Sequence, residues 1–166
     1  ISGRTFDDPA IPNYISNLLN EHHVDPKRLI IELTETAAVS DVQDAQRFIE
    51  AVHQTGCRVC LDDFGSGFST FGYLKYLGVE VLKIDGLFIR DLPNNPDNQI
   101  FVKAMVEVAR GLGKITVAEF VEDAATLSMV KNLGIDLAQG YYLGRPGASF
   151  PKDHRKTAVN YIETTY

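Results

Sequence analysis

Little in this sequence points to a secreted, membrane-spanning or duplex-binding protein. Of its 166 residues only two are cysteine, Cys57 and Cys60. That is too few for a disulfide framework and fits a reducing compartment. Apolar runs are short, Leu29-Ile30-Ile31 being typical, and none approaches the length that spans a bilayer. The N-terminus has neither the charged nor the apolar region of a signal peptide, and no initiator Met. The expectation is an excised fragment or processed chain that is cytoplasmic, or the cytoplasmic part of a membrane-anchored parent. Basic residues are outnumbered, 16 against 22 acidic ones, for a net charge of −6. No basic footprint for polymeric nucleic acid is visible. A small phosphate ligand remains allowed if metal ions supply the positive charge.

The composition, 45% apolar and 23% charged, is that of an ordinary globular protein. Without a linker, low-complexity segment or strong repeat, residues 1–166 read as one domain. Strand-like and helix-like segments alternate. Strands are expected at Arg28 to Leu33, Cys57 to Leu61, Val79 to Ile84, Lys114 to Ala118 and Ile135 to Gln139. Helices are expected after Asp7-Asp8-Pro9, from Ser40-Asp41 to Gly56, from Ser69 to about Leu77, from Asn94-Asn95 through Ala109, from Asp123 to Leu133, and over 153–162. This order implies a parallel sheet with covering helices, either doubly wound or a (β/α)8 barrel. Both place function at the C-terminal strand ends.

Acidic and amide residues recur at those ends. Glu32 and Glu35, Asp62 and Asp63, Lys83 and Asp85, Glu119 and Glu122, and Gln139 follow five successive strands. Carboxylates gathered on one rim repel unless they are protonated or bound to cations. Hard divalent ions take such oxygen ligands, and adjacent Asp62 and Asp63 could serve two of them. Lys83 could orient a water, balance phosphate charge or simply pair with a carboxylate. Enolase-like barrels carry acids and lysines at strand ends too, so the pattern alone leaves the reaction open.

Other features read more plainly. Cys57-x-x-Cys60 has zinc or redox spacing, but the pair sits in an apolar run and reads as core. Gly65-Ser66-Gly67 can cradle a phosphate or act as a lid over a site, though a flexible connecting loop is the ordinary case. His22, His23, His53 and His154 lack metal spacing. Tyr141-Tyr142 beside Gln139 can stack on a base or pack at the rim.

Five segments in order carry a resemblance. Ile31-Glu32-Leu33-Thr34-Glu35-Thr36, Leu61-Asp62-Asp63-Phe64-Gly65-Ser66-Gly67, Leu82-Lys83-Ile84-Asp85, Val117-Ala118-Glu119-Phe120-Val121-Glu122 and Ala138-Gln139-Gly140-Tyr141 resemble the successive motifs of the EAL-domain family, whose members hydrolyse cyclic di-GMP. The match runs from Ile1 to about Pro146. The resemblance implies a (β/α)8 TIM-type barrel, incomplete at the N-terminus in this chain. It implies hydrolysis of cyclic di-GMP to linear pGpG in the complete domain, with two Mg²⁺ or Mn²⁺ ions activating a water. By position, Glu32, Asp62, Asp63 and Glu119 match metal ligands. Lys83 matches a lysine at the water or phosphate, and Gln139 a residue near both. Glu35 resembles a support that anchors the Asp63–Ser69 loop, which in the family couples dimerisation to activity; Glu122 resembles another support residue. A homodimer and an upstream sensory or diguanylate cyclase-like domain are implied partners. Phe120 stands where the family most often has Gly. The Glu-Ala-Leu motif and an Asn expected just before Ile1 are absent, leaving four of six expected protein ligands. The alternative reading is a receptor module that binds cyclic di-GMP without turnover. Such forms usually lose metal-site acids, and this chain keeps Glu32, Asp62, Asp63 and Glu119.

Overall fold

A computed structural model of the chain describes residues 8–67 and 71–147. Along them run α1 (Ile11–Glu21), β1 (Ile30–Thr34), α2 (Glu35–Ser40), α3 (Val42–Gln54), β2 (Arg58–Phe64), β3 (Val81–Ile84), α4 (Gly86–Ile89), α5 (Pro96–Gly111), β4 (Ile115–Ala118), α6 (Ala124–Asn132) and β5 (Leu137–Ala138). The segment before Asp8, the proposed start of the helix at Ser69 and the helix expected over 153–162 lie outside the described residues.

Polar caps set where several helices begin. Asp41 accepts from the amides of Gln43 and Asp44, Asn95 from Asn98, and Asp123 from Thr126. Each such cap is worth about 1 kcal/mol. Asp41 also explains a departure from the expected single helix. Its extended backbone (φ −147°) separates α2 from α3, so helix begins already at Glu35, directly after β1. The first strand starts later than expected, at Ile30. Asp25 caps a 3-10 turn over Pro26–Arg28, which takes Arg28 out of the strand.

All the strands are parallel, and each pairs with its successor, in the order β1-β2-β3-β4-β5. A doubly wound sheet reverses its strand order part-way; a barrel does not. The sheet is therefore a sector of a (β/α)8 barrel. Alternation assigns its two faces. Ile31, Leu33, Val59, Leu61, Leu82, Ile84 and Ala118 are buried outward, against a helical layer that includes Phe48, Ile49 and Val52 of α3 and Val102, Met105 and Val106 of α5. Burying a side chain of this size contributes roughly 1.5–3 kcal/mol. The inward residues line a concave cavity of about 560 Å³, from Ile30, Arg58, Val81 and Ile115 at one end to Glu32, Lys83 and Gln139 at the other. Cys57 and Cys60 are free and buried, as the apolar context predicts.

Candidate metal centre

Two consecutive residues of a regular strand point to opposite faces, so Asp62 and Asp63 could not both reach one site. The backbone resolves this conflict with a bulge. Leu61 pairs with Leu82 and Phe64 with Ile84, which leaves Asp62 and Asp63 together opposite Lys83. Asp63 takes φ +56°, a left-handed conformation open to Asp but rare for other non-glycine residues. Both carboxylates thereby stand at the rim. One oxygen each from Asp62, Asp63 and Glu119 lie within 4.8 Å of one another. Glu119 follows β4 directly and its amide donates to the carbonyl of Ile84.

Lys83 sits at the centre. Its Nζ lies 2.8 Å from Asp62 Oδ1, 2.9 Å from Glu119 Oε1 and 3.2 Å from Glu32 Oε1. Burial pulls the ammonium down, but the hydrogen bonds to Asp62 and Glu119 outweigh it, and its pKa is raised overall. The surrounding carboxylates thus favour the ammonium form of Lys83, a hydrogen-bond donor. Burial pushes Glu119 up, with Lys83 opposing. Asp63 is pushed up by burial first and then by the neighbouring Asp62 and Asp85 charges. Cys60, below the carboxylates, has its thiol pushed up to about 12, chiefly by burial and then by Glu32. Among the described residues, the group placed to hold an ion is Asp62, Asp63 and Glu119, so the donors on offer are carboxylate oxygens.

That donor set fits a hard divalent cation. Glu32, Asp62, Asp63 and Glu119 would carry four negative charges against the single positive charge of Lys83. A rim of this kind gains from further positive charge. Glu32 is exposed and reaches the cluster through Lys83.

Gln139 closes β5: its amide donates to the carbonyl of Ala118 and its own carbonyl accepts from Val121. Its side chain lines the large cavity with Lys83, and also a cleft of about 170 Å³ with Glu119, Phe120, Glu122, Gly140 and Tyr141. Glu122 is exposed at that cleft. Glu35 is buried and accepts from the amides of Gly65 and Gly67. The last two residues of the Asp63–Ser69 loop lie outside the described residues. Phe120 has φ +51°, the conformation in which glycine is most at ease, and its ring lies 4.0 Å from the Arg90 guanidinium.

The sequence motif model of the EAL domain matches residues 1–146. The chain belongs to the EAL domain family. Over 136 residues this EAL chain is 35% identical to the probable cyclic di-GMP phosphodiesterase PdeA of Escherichia coli (strain K12), covering 82% of the chain but 19% of that protein. It therefore spans less than a fifth of that curated relative's length. Among solved structures, it resembles the c-di-GMP complex of the MucR phosphodiesterase with a TM-score of 0.83 at 36% identity, covering 88% of this chain and 59% of that one. The FimX EAL domain of Pseudomonas aeruginosa bound to c-di-GMP gives a TM-score of 0.85 at 28% identity, covering 92% and 63%.

One residue that bears on the rim escaped the sequence, and a second was seen there without its role. Tyr73 joins Glu35 through its hydroxyl at 2.5 Å, from 38 residues away, and no local pattern marks it as other than core. Asp85, seen only as a strand end, caps α4 by accepting from Leu87 and adds to the repulsion on Asp63. Among the described residues, no helix is long and apolar enough to cross a membrane.

Proposed function

We propose that this chain is part of a cyclic di-GMP phosphodiesterase that gives linear pGpG when its barrel is complete. The observation that carries the reading is the convergence of Asp62, Asp63 and Glu119 oxygens within 4.8 Å, beside the protonated Lys83. Relatives named for cyclic di-GMP hydrolysis, and the bound c-di-GMP in the MucR complex, support the substrate. Glu32, Asp62, Asp63 and Glu119 would hold two Mg²⁺ or Mn²⁺ ions. Such ions supply Lewis-acid charge to phosphoryl oxygens and make water a stronger nucleophile at neutral pH.

The chain's own residues set the geometry around that charge. The bulge fixes Asp62 and Asp63 side by side. Lys83 donates hydrogen bonds toward the phosphate and offsets part of the carboxylate charge. Gln139, fixed by backbone hydrogen bonds at the end of β5, orients polar groups of substrate or water between cavity and cleft. Glu35 and Glu122 act in support, outside the reacting centre. A homodimer, a cytoplasmic setting and an upstream sensory or cyclase-like domain complete the proposal. The curated relative MucR, a bifunctional diguanylate cyclase and phosphodiesterase, supports the last of these.

The test separates turnover from binding. In the intact protein, Asp62→Asn should lower single-turnover hydrolysis by on the order of 10²-fold or more, as when a main electrostatic stabiliser is removed. Cyclic di-GMP binding should change far less. Hydrolysis at the wild-type rate by Asp62→Asn rules out the mechanism. Tight binding without hydrolysis by the wild-type protein selects the receptor reading.

A further inference from the structure

Beside the metal centre, one buried carboxylate gathers both ends of a loop. Glu35 is 1% exposed. Its Oε2 accepts from the amide of Gly65 at 2.9 Å and that of Gly67 at 3.2 Å, while its Oε1 accepts from the Tyr73 hydroxyl at 2.5 Å. Gly65 and Gly67 lie on the limb leaving β2. Tyr73 lies on the returning side, in the 3-10 turn Phe71–Lys75. The opposite side of Gly65 is equally confined: with φ +97°, a Cβ there would stand 2.5 Å from the Met105 methyl. One turn connects this clamp to a ligand, because the amide of Ser66 donates to the carbonyl of Asp63 at 3.1 Å.

We propose that Tyr73 is a positioning residue for the metal centre, its hydroxyl fixing the Glu35 carboxylate so that the Gly65–Gly67 backbone, and with it Asp63, is held in place. The inference rests on the phosphodiesterase reading for its catalytic consequence, though not for its structural one. A carboxylate turns easily about its last torsion, whose energy profile is broad. Two amides on Oε2 oppose that rotation from one oxygen. A third donor on Oε1 adds to that resistance, because any turn now breaks bonds at both oxygens. Tyr73 suits the role: its ring is buried, and burial together with the bond to Glu35 raises the phenol's pKa, so it remains a donor. Asp63 needs such support, since its backbone is left-handed and its carboxylate stands in a cluster whose oxygens lie within 4.8 Å of those of Asp62 and Glu119.

The test is Tyr73→Phe in the intact protein, which keeps the ring and removes only the hydroxyl. Losing one hydrogen bond to a charged acceptor should lower kcat by about 10-fold, with KM for cyclic di-GMP within about twofold of wild type. Amide hydrogen exchange in the peptide covering Asp62–Gly67 should accelerate by about 10-fold, while peptides from α5 stay unchanged. Because both residues act through one clamp, Glu35→Gln should add little to Tyr73→Phe, as a double-mutant cycle would show. Wild-type exchange at Asp62–Gly67 in Tyr73→Phe overturns the proposal, and so do fully multiplicative losses in the double variant. If the wild-type protein fails to hydrolyse cyclic di-GMP, the phosphodiesterase reading falls, while the exchange experiment still decides whether Tyr73 holds the loop.

Discussion

Replacing Lys83 with methionine tests the electrostatics of the centre most directly. The side chain is nearly buried and touches three carboxylates at 2.8, 2.9 and 3.2 Å. Met has a similar length without the charge. Removing one partner of a buried ion pair costs about 3–5 kcal/mol. The lower end applies here, about 3 kcal/mol, because Glu32 is exposed and water screens part of the repulsion. The loss should depend on what else neutralises the rim. Lys83 holds the Glu119 and Asp63 carboxyls down against burial, so without it both climb further. A carboxyl whose folded pKa is raised favours the folded state at low pH and loses that stability as pH rises through the folded value. The deficit of Lys83→Met in chelator should therefore be smaller at about pH 5 than at about pH 8. Saturating Mg²⁺ should raise the unfolding midpoint of the variant more than that of wild type, because the ion no longer competes with an ammonium. Hydrolysis should still fall, since the proposed donor to phosphate is gone. Urea unfolding in chelator and in Mg²⁺, at both pH values, measures all of this. A variant as stable as wild type in chelator at high pH, or one that Mg²⁺ stabilises no more than wild type, would refute the reasoning.

Two further predictions concern single residues. Asp63→Asn should stabilise the metal-free protein, because at ~5 Å and an effective dielectric of ~20 each carboxylate pair repels by about 3 kcal/mol before screening. A net gain of about 1 kcal/mol in chelator, with metal affinity reduced, is expected from urea unfolding and calorimetry; a loss of stability there would mean that the rim is not under repulsion. At Phe120, whose φ is +51°, Gly should be more stable than Ala by about 1 kcal/mol, since only the former is at ease in that region. Thermal unfolding of Phe120→Gly and Phe120→Ala compares them directly, and equal midpoints would show that the backbone there is unstrained.

The barrel sector was legible because its signals are local. Each strand could be read as a short apolar run, and Asp41, Asn95 and Asp123 gave helix starts within a residue or two. The rim acids were legible for a related reason: parallel strands bring the ends of separate runs to one side. The backbone detail was not. Alternation would have split Asp62 from Asp63, and only pairing with β3 shows that two residues there face one. The break at Asp41 was hidden too, because its side chain signals a helix start without revealing that another helix precedes it. Tyr73 was illegible in principle, as its partner is remote in sequence and a phenol among apolar residues reads as packing.

The bulge in β2 has a consequence for transplantation. A centre specified by side chains alone can be copied into another barrel by copying the residues. This one depends on an extra residue in the strand and on a left-handed Asp63. Writing Asp-Asp at the corresponding strand end of a regular barrel would send one carboxylate into the lumen side and the other into the helical layer, where a charge is costly. A graft would have to carry the register slip, the glycines beyond it and a counterpart of Glu35 as one unit. The smallest portable piece of this site is therefore a stretch of backbone shape, with the acids as its most visible part.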